Sequence, residues 1–274
     1  VQLSVGDDPA ANLPVTLDFL RDGAARGAQL LLTPEVTNLL TPDRERQAAL
    51  LRVEAEDPTL AALRAEAARL GVWLSIGSLS LRHDDPQEAR FVNRSFLIAP
   101  DGGIAARYDK IHMFDVTITD RESYCESAAF RPGDRAVLAQ GPVSMGLTVC
   151  YDVRFPHLYR RLAHAGARLL TVPAAFNDTT GAAHWEVLLR ARAIENGCFV
   201  LAAAQCGTHP APHSPDRPPR RSHGHSLAVG PWGEVLADGG TDPGVTLADL
   251  DMAQVDRARA RVPAWRNDPV IRGP

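Results

Sequence analysis

Three residues whose side chains together could carry out acyl transfer stand where apolar segments of the sequence end: Glu35, Lys110 and Cys150. Cys150 closes a run in which Val143, Met145, Leu147 and Val149 alternate, so a strand should carry it to a sheet end. A helix opened by Pro156 follows at once. Strand ends of α/β sheets border the crevice where ligands bind. A helix N-terminus beside it supplies N–H donors that lower a thiol pKa and hold an oxyanion. Glu35 follows the apolar Leu30-Leu31-Leu32 and Thr33-Pro34, and Lys110 lies in Tyr108-Asp109-Lys110-Ile111-His112. A thiol hydrolase needs a base, an electrophilic stabiliser and a nucleophile. Taken singly, each residue also has an ordinary reading: a small buried hydrophobe, a surface carboxylate, a surface ammonium.

The elements that must position these groups can be read in order. Residues 13–27 read as a helix on the spacing of Leu13, Leu17, Leu20 and Ala24. Proline at 34 should stop a central strand, Leu30–Leu32. Asp57-Pro58 opens a helix carrying Leu60, Leu63, Ala67 and Leu70, and Gly71 ends it. Val72–Leu81 alternates as a strand, and Phe91–Ala99 and Ile104–Tyr108 form a hairpin about Pro100-Asp101-Gly102-Gly103. After Cys150, Leu158, Leu162 and Ala165 give a helix its buried stripe, with Gly166 closing it. A strand Leu169–Val172, a helix from about Ala183 to Asn196 capped by Gly197, and a strand Cys198–Ala204 then repeat the pattern. Pro231-Trp232-Gly233-Glu234 turns the chain between two short strands. Residues 207–223 are rich in proline and charge and read as one long surface loop, and 42–57 as an exposed segment.

Composition narrows the classes. With 274 residues and 45% hydrophobic content, the chain can bury a large core, and one mixed α/β domain over 1–274 is the economical organisation. A net charge of −4 gives no footprint for nucleic acid, and no apolar run approaches the ~18–20 residues that span a bilayer. Cys125, Cys150, Cys198 and Cys206 form no CxxC pair, which suits free thiols in a reducing cytoplasm, and the first residues lack a signal-peptide pattern. His209, His213, His223 and His225 lack zinc-type spacing, so no metal and no cofactor are expected. His184 and Trp185 read as helix-fixing residues, and Cys198 and Cys206 as core thiols.

Three segments carry a resemblance. Leu32-Thr33-Pro34-Glu35, Tyr108-Asp109-Lys110-Ile111-His112 and Val149-Cys150-Tyr151-Asp152-Val153-Arg154-Phe155-Pro156 resemble, in order, the catalytic signatures of the nitrilase superfamily. The likeness runs on through Ala175-Phe176-Asn177, Gly181–Glu186, Arg190–Glu195, Gly224-His225-Ser226 and Pro231-Trp232-Gly233, and so covers essentially the whole chain. It implies a four-layer α-β-β-α sandwich that pairs as a homodimer, and no metal. It implies that Cys150 attacks an amide carbonyl while Glu35 takes the thiol proton and later activates water. Lys110 and the N–H of Tyr151 would hold the oxyanion, ammonia would leave, and a thioester on Cys150 would then be hydrolysed. A second carboxylate assists in this family, and Glu126 matches its position better than Glu122.

Two branches share the run Thr180–Glu195. The omega-amidases deamidate α-ketoglutaramate and α-ketosuccinamate, and the deaminated-glutathione amidases cleave the 2-oxo acid left when glutathione loses its amino group. Ala202–His209 and Cys125-Glu126-Ser127 look more like the second branch, whereas Ala175–Thr180 leans to the first. The sequence favours deaminated glutathione. Either substrate carries a 2-oxo acid carboxylate that wants a cation or N–H donors. Arg154 is the cation nearest the nucleophile in sequence, with a structural pairing to Asp152 or a carbonyl as its other reading. Phe176, Asn177 and Thr180 should line the pocket. Arg217, Arg220 and Arg221 could meet the glycine carboxylate of a tripeptide-sized substrate, or sit in a solvated loop. A catalytically silent binding scaffold and a thiol redox protein are the rival classes. The intact Glu35, Lys110 and Cys150 speak against the first, and the lack of a resolving cysteine near Cys150 against the second.

Overall fold

The computed structural model describes residues 1–119, 122–215, 220–267, 269, 270 and 273. The chain runs α1 (Pro9–Ala25), β1 (Leu30–Leu32), α2 (Arg44–Leu50), α3 (Pro58–Leu70), β2 (Trp73–Arg82), β3 (Phe91–Ile98) and β4 (Ile104–Asp109). A small hairpin follows, β5 (Asp115–Thr119) and β6 (Glu122–Cys125), then β7 (Val137–Gln140), β8 (Ser144–Leu147), α4 (Pro156–His164) and β9 (Leu169–Thr171). The rest is α5 (Asp178–Asn196), β10 (Phe199–Ala202), β11 (Cys206–Thr208), β12 (Arg221–His223), β13 (Leu227–Val229), β14 (Val235–Asp238) and α6 (Ala253–Arg261).

Two sheets form the middle of the molecule. One has the order β1-β2-β3-β4, the other β14-β13-β10-β9-β8-β7. Apolar residues of α1 and α3, among them Leu20, Leu60 and Leu63, close one core against Leu74, Ile76 and Phe96 of the first sheet. Leu158 and Leu162 of α4 with Trp185 and Leu189 of α5 cover the second sheet. Leu97 and Tyr108 reach the same core from the first. Helix, sheet, sheet, helix is therefore the layer order, an α-β-β-α sandwich in which each sheet buries both faces.

Several elements differ from the sequence reading for local reasons. Helix α1 begins at Pro9, because the Asp8 side chain accepts from the Ala10 N–H and proline suits the first turn. Strand β1 is an edge strand, paired parallel to β2 only. Strand β8 stops at Leu147, but the Thr148 and Cys150 N–H groups still bond to Thr171 and Pro173 carbonyls, so the chain remains extended up to the thiol. Ala165 is exposed, and Tyr159 and Ala163 take its place in the buried face of α4. Helix α5 starts at Asp178, capped by Asn177. The segment 207–223 is not all surface. Strands β11 and β12 pair within it, and His209 is buried between Val5 and Ser222. Likewise 42–57 contains α2, whose Gln47 is buried, and so is Asp57, which caps α3.

Candidate active site

Glu35 is delivered by β1 and a tight turn. The Val36 backbone is left-handed at φ 50°, a strained value for a β-branched residue. The turn survives because Ser78 Oγ accepts from the Val36 N–H at 2.9 Å and the buried Gln205 donates to the Glu35 carbonyl at 2.9 Å. Cys150 also has a positive φ, 48°, at the head of a single helical turn, Cys150–Arg154. Asp152, fully buried, holds that turn. Its carboxylate accepts from the Val149 N–H at 2.8 Å, Tyr108 Oη at 2.6 Å and the His112 N–H at 3.0 Å, and His112 Nδ1 lies 2.7 Å away. Lys110 sits between Tyr108 and His112. One carboxylate thus ties the lysine segment to the cysteine turn.

The side chains converge in a buried polar cluster. Lys110 Nζ donates to Glu35 Oε1 at 2.9 Å and to Glu126 Oε1 and Oε2 at 2.9 and 2.8 Å. Lys110 is 2% exposed and Glu35 4%. The Ala175 N–H donates to the other Glu35 oxygen at 2.9 Å, and the Phe114 N–H to Glu126 at 2.6 Å. Asn93, on β3, donates through Nδ2 to Glu35 at 2.9 Å and reaches Glu126 at 3.4 Å. The sequence reading missed Asn93. Its signal was the polar run Asn93-Arg94-Ser95 inside an otherwise apolar strand.

Electrostatics assign protonation states. Burial raises the Glu35 carboxyl, but the Lys110 ammonium, with hydrogen bonds from Lys110, the Cys150 thiol and the Ala175 N–H, outweighs it and holds the group below its ordinary value. Lys110 goes the other way: burial lowers it, and Glu126 and Glu35 lift it above the usual lysine range. Cys150 is pushed well up, by burial first and by the Glu35 carboxylate next, against the opposing pull of Lys110. The helix-terminus lowering expected from the sequence loses to those two effects. These directions make the resting cluster a neutral thiol beside an ionised carboxylate. That suits a nucleophile whose proton leaves as the new bond forms.

These groups open onto a cavity of about 770 Å³. Tyr151, Phe176, Asn177 and Thr180 all line it. Phe176 packs on Trp185 at 4.9 Å between ring centroids, and Asn177 doubles as the cap of α5, accepting from the Thr180 N–H at 3.1 Å. Thr180 Oγ1 is buried with no hydrogen-bond partner among the described residues. Arg154 is not on the cavity wall. Its guanidinium lies over the Tyr151 and Phe176 rings at 5.8 and 5.2 Å, with Nη1 3.2 Å from His184 Nδ1. Neither Asp152 nor a backbone carbonyl is its partner among the described residues. Arg220 and Arg221 do reach the wall, while Arg217 and the Glu122 side chain lie outside the described residues. Leu39, Leu40, Arg44 and Gln47 complete one side, a contribution the sequence reading did not foresee. Cys125, on the wall, and Cys150, Cys198 and Cys206 are all free thiols. No group of three or more metal-binding side chains stands together among the described residues, and none of their helices is long and apolar enough to cross a membrane.

Comparison with known proteins gives a consistent picture. Residues 1–260 match the carbon-nitrogen hydrolase family. The human deaminated glutathione amidase is 38% identical over 97% of this chain and 80% of its own. The Yersinia enterocolitica protein of the same name is 41% identical over 86% of this chain and 80% of its own. Among solved structures, the Caenorhabditis elegans NitFhit protein superposes with a TM-score of 0.86 at 33% identity, covering 97% of this chain and 63% of that one. An amidase from Nesterenkonia, in which acrylamide has added to the active-site cysteine, superposes at 0.76 with 30% identity, covering 95% of each chain.

Proposed function

The chain belongs to the carbon-nitrogen hydrolase family and is an amide-hydrolysing enzyme, and from that premise we propose that it cleaves deaminated glutathione through a thioester on Cys150. The observation that carries this reading is the buried cluster in which Lys110 donates to Glu35 at 2.9 Å and to Glu126, on the same cavity wall as the Cys150 thiol. A thiolate at rest is disfavoured there, so proton transfer to Glu35 accompanies attack of Sγ on the amide carbonyl. Lys110 and the Tyr151 N–H meet the charge that develops on the carbonyl oxygen. Glu35 returns its proton to the departing amine, the thioester remains, and Glu35 next deprotonates the water that hydrolyses it. Glu126 and Asn93 keep Lys110 and Glu35 in register throughout.

The leaving group depends on the substrate. Deaminated glutathione is an amide of cysteinylglycine, so that dipeptide leaves, and the release of ammonia that the family pattern suggested belongs only to a primary amide. The relatives named for deaminated glutathione support the peptide substrate, and a cavity of about 770 Å³ has room for it. The lining segment Ala175–Thr180 supports the second reading, an omega-amidase acting on α-ketoglutaramate or α-ketosuccinamate. Deaminated glutathione and α-ketoglutaramate both yield 2-oxoglutarate. Measuring that product from each, with Cys150→Ala as blank, compares them directly. A higher kcat/KM for deaminated glutathione upholds the proposal, a higher value for α-ketoglutaramate replaces it, and no product from either overturns both.

The homodimer belongs to the same reading. Val187, Ile194, Trp232 and Val262 are large apolar side chains at least half exposed. Arg190 Nε bonds to the Gly233 carbonyl at 2.7 Å and Arg261 lies 4.2 Å over the Trp232 ring, so these residues share one face. Pairing of two copies through it would cover that face. Light scattering on the wild type and on Trp232→Glu tests this. A wild-type monomer would end the idea.

A further inference from the structure

An anionic substrate needs a cation in a cavity that already holds two carboxylates, Glu35 and Glu126. Lys110 is paired with both of them and is reserved for the reacting carbonyl. Among the described residues three guanidinium groups remain on the wall, and two of these are held by a backbone carbonyl or a carboxylate. Arg220 Nη2 donates to the Ala175 carbonyl at 2.8 Å. Arg221 pairs with Asp178 at 2.8 Å and donates to Thr208 Oγ1 at 3.1 Å.

Arg44 differs. It opens α2 and makes one long hydrogen bond, to the neutral Gln47 Oε1 at 3.2 Å, and no ion pair among the described residues. Most of its five donors are therefore free to grip a planar anion. Arg44 shares the cavity wall with Cys125 and Glu126, whose charges act on it, and with Cys150.

Resting on the reading of deaminated glutathione as substrate, we propose that Arg44 binds the glycine carboxylate at the amine end of that substrate. Arg44 is the specificity residue for a peptide amide, a role for which the sequence offered Arg217, Arg220 and Arg221 as one of two readings. The acyl half, which carries the 2-oxo carboxylate, stays near Cys150 when the thioester forms. The amine half leaves together with the carboxylate that Arg44 holds. A short ω-amide lacks the glycine carboxylate, so discrimination between the two substrate classes falls to this contact.

The test compares deaminated glutathione with the same compound capped as the amide at glycine, on wild type, Arg44→Gln and Arg44→Lys. Wild type should prefer the free carboxylate by about ten- to a hundredfold in kcat/KM, the usual range for a hydrogen-bonded ion pair. Arg44→Gln should bring that preference close to one, and Arg44→Lys should keep part of it. A preference that persists unchanged in Arg44→Gln overturns the role of Arg44 and leaves the substrate reading standing. An equal loss on α-ketoglutaramate also overturns it, because that substrate lacks the distal carboxylate. Wild type that turns over α-ketoglutaramate but not deaminated glutathione removes the substrate reading, and the proposal with it.

Discussion

The ammonium of Lys110 lies 2.9 Å from Oε1 of Glu35, with both groups sealed from solvent and Glu126 completing the ammonium's shell. Lys110 therefore does two things at once: it meets developing negative charge, and it holds the buried Glu35 carboxyl below its ordinary pKa.

Lys110→Ala should lower turnover by at least about a hundred- to a thousandfold, the loss seen when one oxyanion donor is removed. The fold will not be indifferent, contrary to what a surface lysine would allow. The buried Glu35 and the half-buried Glu126 lose their partner, at about 3–5 kcal/mol. Denaturant titration of Lys110→Ala and of Lys110→Ala with Glu126→Gln checks this, since the double variant should recover part of the stability.

Asn93→Ala should cost about ten- to a hundredfold in kcat, with a smaller change in KM. The amide donates to the carboxylate that must accept the thiol proton, and a hydrogen bond to a charged group is worth about 1.5–3 kcal/mol. Steady-state kinetics with a loss confined to KM would contradict this role.

Because burial and Glu35 push the Cys150 thiol up, alkylation of the free enzyme by iodoacetamide should still be accelerating at pH ~10, where an ordinary thiol of pKa about 8.5 has levelled off. A plateau below pH ~7 would show a resting thiolate and reverse the proton order of the first step.

His209 sets an acid limit on stability. Burial first, and Arg220 next, lower its pKa to about 4. Between about 6.5 and 4 the unfolded chain binds a proton at this position that the folded one does not. Stability present above pH ~6.5 is thus lost as the pH falls towards 4, by on the order of 3 kcal/mol from this group. His209→Gln should flatten the pH dependence of unfolding in that window. An unchanged slope would assign the acid sensitivity elsewhere.

Gly77→Ala should destabilise the protein by about 1–3 kcal/mol or more and slow turnover as well. A Cβ there would run into the Thr33 carbonyl and the Pro173 ring, the residues that lead to Glu35 and flank the cysteine turn. Thermal unfolding with activity measured in parallel would show both effects falling together.

Much of the site was legible because it obeys local rules. Glu35, Lys110 and Cys150 each end an extended segment, and alternation, proline and hairpin turns are properties of neighbouring residues. The Asp57-Pro58 start, the Gly71 and Gly197 ends and the turn at Gly102-Gly103 were read in the same way. Asn93 escaped, because a polar residue on a buried strand declares itself only once its partners are across the sheet. The 207–223 segment misled for a related reason. Its proline and charge marked a loop, but the burial of His209 depends on Val5 and Ser222, and Val5 lies 204 residues away.

The sequence by itself determined most of the element types and the three groups that end the segments, since these follow from periodicity and turn chemistry within a few residues, and the layer order followed from the family resemblance. Only the tertiary structure decided the charge states and the cavity wall. The shifted thiol, the shared ammonium and the uncommitted Arg44 arise from burial and from charges brought within about 3 Å by packing, and Coulomb energy and desolvation depend on distance in space, not along the chain.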